Sequence, residues 1–210
     1  MGLLSNFGDP NWIADFLLRL PAVLWALSFH EFCHGWVAYK LGDRTAAFQG
    51  RLSLNPLEHL DLVGTIMLVV LGFGWAKPVP VNSRYFKNPR RDIALVSAAG
   101  AAGNFLTAIA CGLVAGAMPF LMHGTMGRFL AHLLFINIGL GVFNLIPVPP
   151  LDGSKILGVM LPPSAMRSFF FLERYGMIII LVLAFTGILQ VIMGPIVILM
   201  ARLLARSFFY

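Results

Sequence analysis

The chain has 210 residues, of which 59% are hydrophobic and only 11% charged, and its mean hydropathy is +0.84. Water-soluble domains carry about 45–50% apolar and about 25% charged residues, so the composition excludes an ordinary soluble fold and points to an integral membrane protein. The formal charge of +6 lies in short loops between apolar segments, which excludes a nucleic-acid-binding face and suits orientation in a bilayer.

The first apolar segment, residues 12–40, exceeds the roughly 20 residues a span requires and carries His30, Glu31 and His34 in its last third. Before it, Asp9, Pro10 and Asp15 interrupt any signal-peptide pattern, so the N-terminus is expected to be retained. Residues 45–56, TAAFQGRLSLNP, alternate polar and apolar and end in Asn-Pro, which reads as a strand or hairpin at the membrane surface. Residues 62–76 are apolar but too short to cross, contain three glycines and run into KPVPVN. They read as a re-entrant segment shielded by protein.

Residues 92–120 and 128–146 form further spans, the first with a small-residue face, SAAGAAGNF, suited to close helix packing. The second dissolves into NLIPVPPLDG, residues 144–153. From residue 173 almost to Tyr210 the chain is apolar again, broken at Gly194-Pro195 into one kinked helix or two shorter ones. The expected fold is an all-α polytopic membrane protein, one unit over residues 1–210. It has four to six transmembrane helices and a small membrane-surface β or re-entrant element after the first.

If the first span ends in the cytoplasm, residues 62–76 dip and return, and the next two spans cross out and back, eleven of the 15 Lys and Arg residues lie on the cytoplasmic side. Arg19 and Arg128 lie opposite, while Arg202 and Arg206 depend on the last segment. The positive-inside rule favours this orientation. It also brings the ends of the first and third spans to one side, and with them His30, His34 and Asp152.

His30 and His34 stand one helical turn apart on one face and can ligate a single metal ion. Glu31, beside the first ligand, completes HExxH, in which the carboxylate serves as general base. A catalytic zinc usually takes three protein ligands and a water, and two histidines with one carboxylate is an established set. Among the acidic residues near apolar segments, only Asp152 lies in a breaker-rich sequence at the end of a span on the same side. It is the expected third ligand. Ionisable groups inside spans cost at least about 2.5–3.5 kcal/mol on insertion scales, which weighs against purely structural histidines.

Cys33, 60° from His30 around an ideal helix, is a rival ligand, but thiolates typify closed structural sites, and Cys33 and Cys111 both read as small hydrophobes. His59 reads as a surface loop residue, His123 as a loop residue and His132 as a polar contact inside the bundle. A zinc carrier would use the same ligands but leaves Glu31 without a task.

HEFCH in a span, followed in order by NPLEHLDLVGT, GWAKPVPVN, SAAGAAGNF and NLIPVPPLDG, resembles the site-2 protease family of intramembrane zinc metalloproteases, peptidase family M50. The resemblance covers residues 26–153. It implies His30, His34 and Asp152 as ligands of one Zn2+ per chain, Glu31 as general base, and Asn144 as an oxyanion stabiliser; the alternative for Asn144 is a helix C-cap before Pro147. Gly100 and Asn104 fall where the family carries a Gly/Pro/Asn motif, with Ala101 where proline is common, and read as helix packing. The sequence has no room for the PDZ-like or CBS domains of some relatives, so a bare catalytic core is expected.

The resemblance further implies single-span membrane proteins as substrates and a multi-pass location in a bacterial-type cell membrane, with the site toward the cytoplasm. The alternating residues 46–54 are a candidate strand for pairing with unwound substrate.

Overall fold

A computed structural model describes residues 12–71 and 74–205. Asp9, Pro10 and Arg206, used in the readings above, lie outside the described residues. Within them the chain forms eight α-helices. These are α1 (Trp12–Lys40), α2 (Thr45–Phe48), α3 (Leu62–Leu71), α4 (Pro89–Ala117), α5 (Gly124–Asn144), α6 (Asp152–Met160), α7 (Met166–Phe185) and α8 (Ile188–Leu204).

By length and composition α1, α4 and α5 can each cross a membrane, and the pair formed by residues 171–185 and α8, bent by 77°, adds a fourth if it counts as one broken span. Helix α4 is the hub: it packs against α1, α5 and α6, while α5 also packs on α1 and α8. Its start has a local cause. Pro89 occupies the first turn, where a missing N–H costs nothing, and the buried Asp92 accepts the Asn88 N–H at 3.1 Å.

The small residues Ala108 and Cys111 of α4 let Leu134, Ile138 and Val142 of α5 and Ala201 of α8 close into one apolar core. Large apolar side chains elsewhere, such as Leu106, Leu113, Val191 and Leu203, point outward in numbers that only a lipid environment accommodates.

Helix α3 is only about 15 Å long, and the chain flanking it comes together where Leu60 bridges Ala76 and the Lys77 N–H reaches the His59 carbonyl at 2.8 Å. The strand expected over residues 45–56 is not there, and no strand occurs among the described residues. Residues 45–48 form α2, and the chain then passes through a 3-10 turn at Pro56–Glu58.

The alternation misled because burial at a membrane surface is not simply apolar. Phe48 is 85% exposed, whereas Arg51 and His59 are buried among protein groups. With no strand there, the candidate pairing of that stretch with substrate loses its basis. His59 is likewise no surface residue, and its Nε2 donates to the Ser53 carbonyl at 2.7 Å. Helix α6 is an element the sequence reading lacked, and α7 begins earlier than residue 173.

At the end of α1 remote from the histidines, Asp15 binds Arg19 at 2.7 Å and His132 of α5 at 2.9 Å, the polar contact expected of His132.

Candidate metal centre

Helix geometry sets His30 and His34 on the α1 face that meets α4. Their Nε2 atoms are 2.9 Å apart. The third corner comes from the break after α5, where residues 145–151 leave helical conformation and turn the chain so that Asp152 opens α6. Asp152 Oδ2 lies 3.1 Å from His30 Nε2 and 2.9 Å from His34 Nε2, and all three residues are buried. The structure thus unites the two histidines and the aspartate across 122 residues of sequence.

The outer nitrogens fix the tautomers. His30 Nδ1 lies 2.7 Å from Asn104 Oδ1 and His34 Nδ1 lies 2.7 Å from the Val96 carbonyl. Both partners accept, so each Nδ1 carries the hydrogen and each Nε2 turns a lone pair inward. Asn104 is oriented in turn: its Nδ2 donates to the Ala26 carbonyl at 3.0 Å and to Asn137 Oδ1 at 2.9 Å, and Asn137 Nδ2 donates to the Leu133 carbonyl.

Two lone pairs and a carboxylate oxygen facing one another within 3.1 Å repel unless a cation stands among them. Ligand atoms held about 2.0–2.1 Å from one zinc ion are separated by roughly 3 Å or slightly more, so this donor set fits a single ion. Burial works against the Asp152 charge, while the Lys155 ammonium beside it favours the anion. Lys155 Nζ sits 3.2 Å from the other oxygen, Oδ1, and leaves Oδ2 to the histidines.

Gly100 explains how α4 comes this close. A Cβ there would stand 2.5 Å from His34 Nε2 and 2.6 Å from His30 Nε2, inside the space of the ligand atoms themselves. Cys33 stands outside the triangle and faces Gly103, where a Cβ would meet its sulfur at 2.5 Å.

A cavity of about 410 Å³ opens on the triangle, and Glu31, Asn144 and Lys155 line it with the three ligand candidates. Glu31 accepts the Val79 N–H on Oε2 at 2.8 Å. Asn144, the last residue of α5, donates one amide hydrogen to the Leu140 carbonyl at 3.0 Å.

Sequence reasoning missed what holds the site. Asn104 read as helix packing, yet it bonds His30. Its place one turn after Gly100 was the available signal. Asn137, the Val96 carbonyl and the Val79 N–H carried none. The bond from His30 to Asn104 yields a prediction: Asn104→Leu, similar in volume and unable to accept from His30, should weaken zinc binding by about 10–100-fold in a titration against a competing chelator. Unchanged affinity would show that the bond does not matter to the metal.

Comparison with known proteins agrees with the geometry. The sequence profile described as Peptidase family M50 matches residues 120–190, the part that contains Asn144 and Asp152. Over 181 residues the chain is 41% identical to "Putative zinc metalloprotease YwhC" of Bacillus subtilis, covering 81% of each chain. It is 29% identical to "Putative zinc metalloprotease Rip2" of Mycolicibacterium smegmatis, over 86% of this chain and 71% of that one. The Rip2 protein of Mycobacterium tuberculosis gives 29% identity over 87% and 76%. No solved structure matches the chain. On the extent of these likenesses, the chain belongs to peptidase family M50.

Proposed function

We propose that the protein is an intramembrane zinc metalloprotease that cuts peptide bonds in or near the transmembrane segments of other membrane proteins. In this reading His30, His34 and Asp152 hold one zinc ion and Glu31 is the general base. The observation that carries it is the buried three-acceptor triangle with an acid that is not a ligand on the wall of the same cavity. Family membership and the names of the relatives support it.

Zinc held there would supply a Lewis acid and lower the pKa of its bound water toward about 7. The chain does the rest. With Oε2 of Glu31 engaged by the Val79 N–H, Oε1 is left to take a proton from the attacking water and return it to the leaving amine. Asn144 keeps a second amide hydrogen for the developing oxyanion. A helical substrate segment has its carbonyls engaged within itself, so it must unwind locally before the cavity can receive one.

Placement in a bacterial-type cell membrane with the site toward the cytoplasm is supported by the basic loops and the bacterial relatives.

The test is metal removal. Purified protein given a panel of tagged single-span reporters should cut at least one of them, stop after chelation and resume when zinc is restored. Cleavage that survives complete metal removal would refute the reading. Zinc binding with no reporter cut would favour a carrier.

A further inference from the structure

We propose that Arg51 is a positioning residue for Glu31, acting through the extended segment 77–82, KPVPVN, that it fastens across the site. The proposal rests on the metalloprotease reading above and adds to it the device that aims the base.

Glu31 has three rotatable side-chain bonds, and among the described residues its side chain is held by one hydrogen bond, from the Val79 N–H. Where that N–H sits decides which oxygen of Glu31 stays free. Residues 78 and 80 are prolines, which fix φ near −65° and offer no N–H, so between Lys77 and Val81 the only backbone donor is Val79. The segment forms no sheet and is pinned at separate points along its length. The Lys77 N–H goes to the His59 carbonyl at 2.8 Å, and the Asn82 N–H goes to Asp43 Oδ2 at 2.6 Å.

Between these pins stands Arg51. One terminal nitrogen of its guanidinium donates to the Lys77 carbonyl at 2.6 Å and to the Pro78 carbonyl at 3.3 Å, the latter in the same peptide unit as the Val79 N–H. The side chain is only 6% exposed, its Nε has no partner, and among the described residues no carboxylate pairs with it. A cation buried on two carbonyls alone is an expensive way to hold a loop. It is well suited to fixing one peptide plane, because the charge strengthens both bonds.

On the other side, Val79 is buried against α1 at Gly35, one turn beyond Glu31, where a Cβ would approach Val79 at 3.3 Å. Arg51 on one flank and Gly35 on the other thus present the Val79 N–H to the Glu31 carboxylate, while Pro78, Val79 and Val81 wall the cavity.

Two measurements on the full-length zinc-loaded protein test this. In the first, Arg51→Met and Arg51→Lys are compared with wild type for cleavage of a single-span reporter and for zinc content. Arg51→Met should lower kcat by about 10²-fold with KM and zinc per chain unchanged, because it misaims the base without touching the ligands. Arg51→Lys, able to reach one carbonyl, should recover about tenfold of that loss. In the second, amide hydrogen exchange at Val79 should speed up by about tenfold or more in Arg51→Met, while α4 exchanges as in wild type.

Unchanged kcat, a fall that merely follows lost zinc, a rise in KM alone, or unaltered exchange at Val79 would each overturn the proposal. Should the wild-type protein cut nothing, the metalloprotease reading fails, and exchange alone then decides whether Arg51 fixes the donor to Glu31.

Discussion

The Glu31→Gln protein is expected to bind zinc as wild type does and to cut a single-span reporter about 10²–10⁴-fold more slowly, the range that general acid–base catalysis contributes. The two halves of this result have separate causes. Glu31 is not part of the triangle of His30, His34 and Asp152, so the substitution leaves the ligand set intact. Glutamine is nearly isosteric, and its carbonyl oxygen can still accept the Val79 N–H, so the side chain keeps its anchor.

What it loses is an atom that can take a proton and hand it on. The loss corresponds to about 3–5 kcal/mol in the activation barrier. Zinc content and initial rate, measured on one preparation, check it. A Gln variant that cuts at the wild-type rate would show that Glu31 is not the base, and one that loses its zinc would show that Glu31 helps to hold the metal.

Gly100→Ala should remove the metal altogether, and with it the activity, for the sake of a single methyl group. The new Cβ would fall 2.5–2.6 Å from the Nε2 atoms of both histidines, closer than carbon and nitrogen approach without bonding. Rotating the imidazoles away would break the Nδ1 contacts to Asn104 and Val96, and shifting α4 would open the interface on which those contacts depend. Either way the three ligand atoms no longer converge.

Gly116 on the same helix is the control, since a Cβ there meets nothing within 4 Å. Gly116→Ala should keep full zinc content and cleavage and raise stability by up to about 1 kcal/mol. Zinc per chain, measured beside helical content, decides the matter. Full occupancy in Gly100→Ala would mean that α4 yields more readily than its packing suggests.

The long helices and the pairing of His30 with His34 were legible in the sequence because both rest on short-range regularities. About 20 apolar residues mark a span, and a four-residue spacing aligns two side chains on one face. Asp152 was legible by a coarser argument: a carboxylate where a span breaks down, on the same side as the histidines.

The supports of the site were not legible, because they work over long separations and partly through backbone atoms. Arg51 binds carbonyls 26 and 27 positions away, Glu31 meets a peptide N–H 48 positions away, and His30 finds Asn104 across 74. No periodicity announces such pairings. The misreading of residues 45–56 and of His59 shares one physical root. At a membrane surface apolar side chains seek lipid and polar ones are buried among protein groups, so inside and outside exchange the meanings they have in water.

The chain of amides behind His30 has a consequence for assembly. Lipid tails are as apolar as leucine, so hydrocarbon contact alone does not choose which side of a helix meets its neighbour. Each residue advances a helix by 100°, and an error of one position would swing every side chain to a new azimuth. Asn104 of α4 accepts from His30, donates to the Ala26 carbonyl of α1, and donates to Asn137 of α5, so three helices share one buried polar junction. Turning any of the three by one position strands an amide in a medium with no water to satisfy it. The junction works as an alignment key for the bundle, and the rotational setting it selects is the one that aims His30 at Asp152.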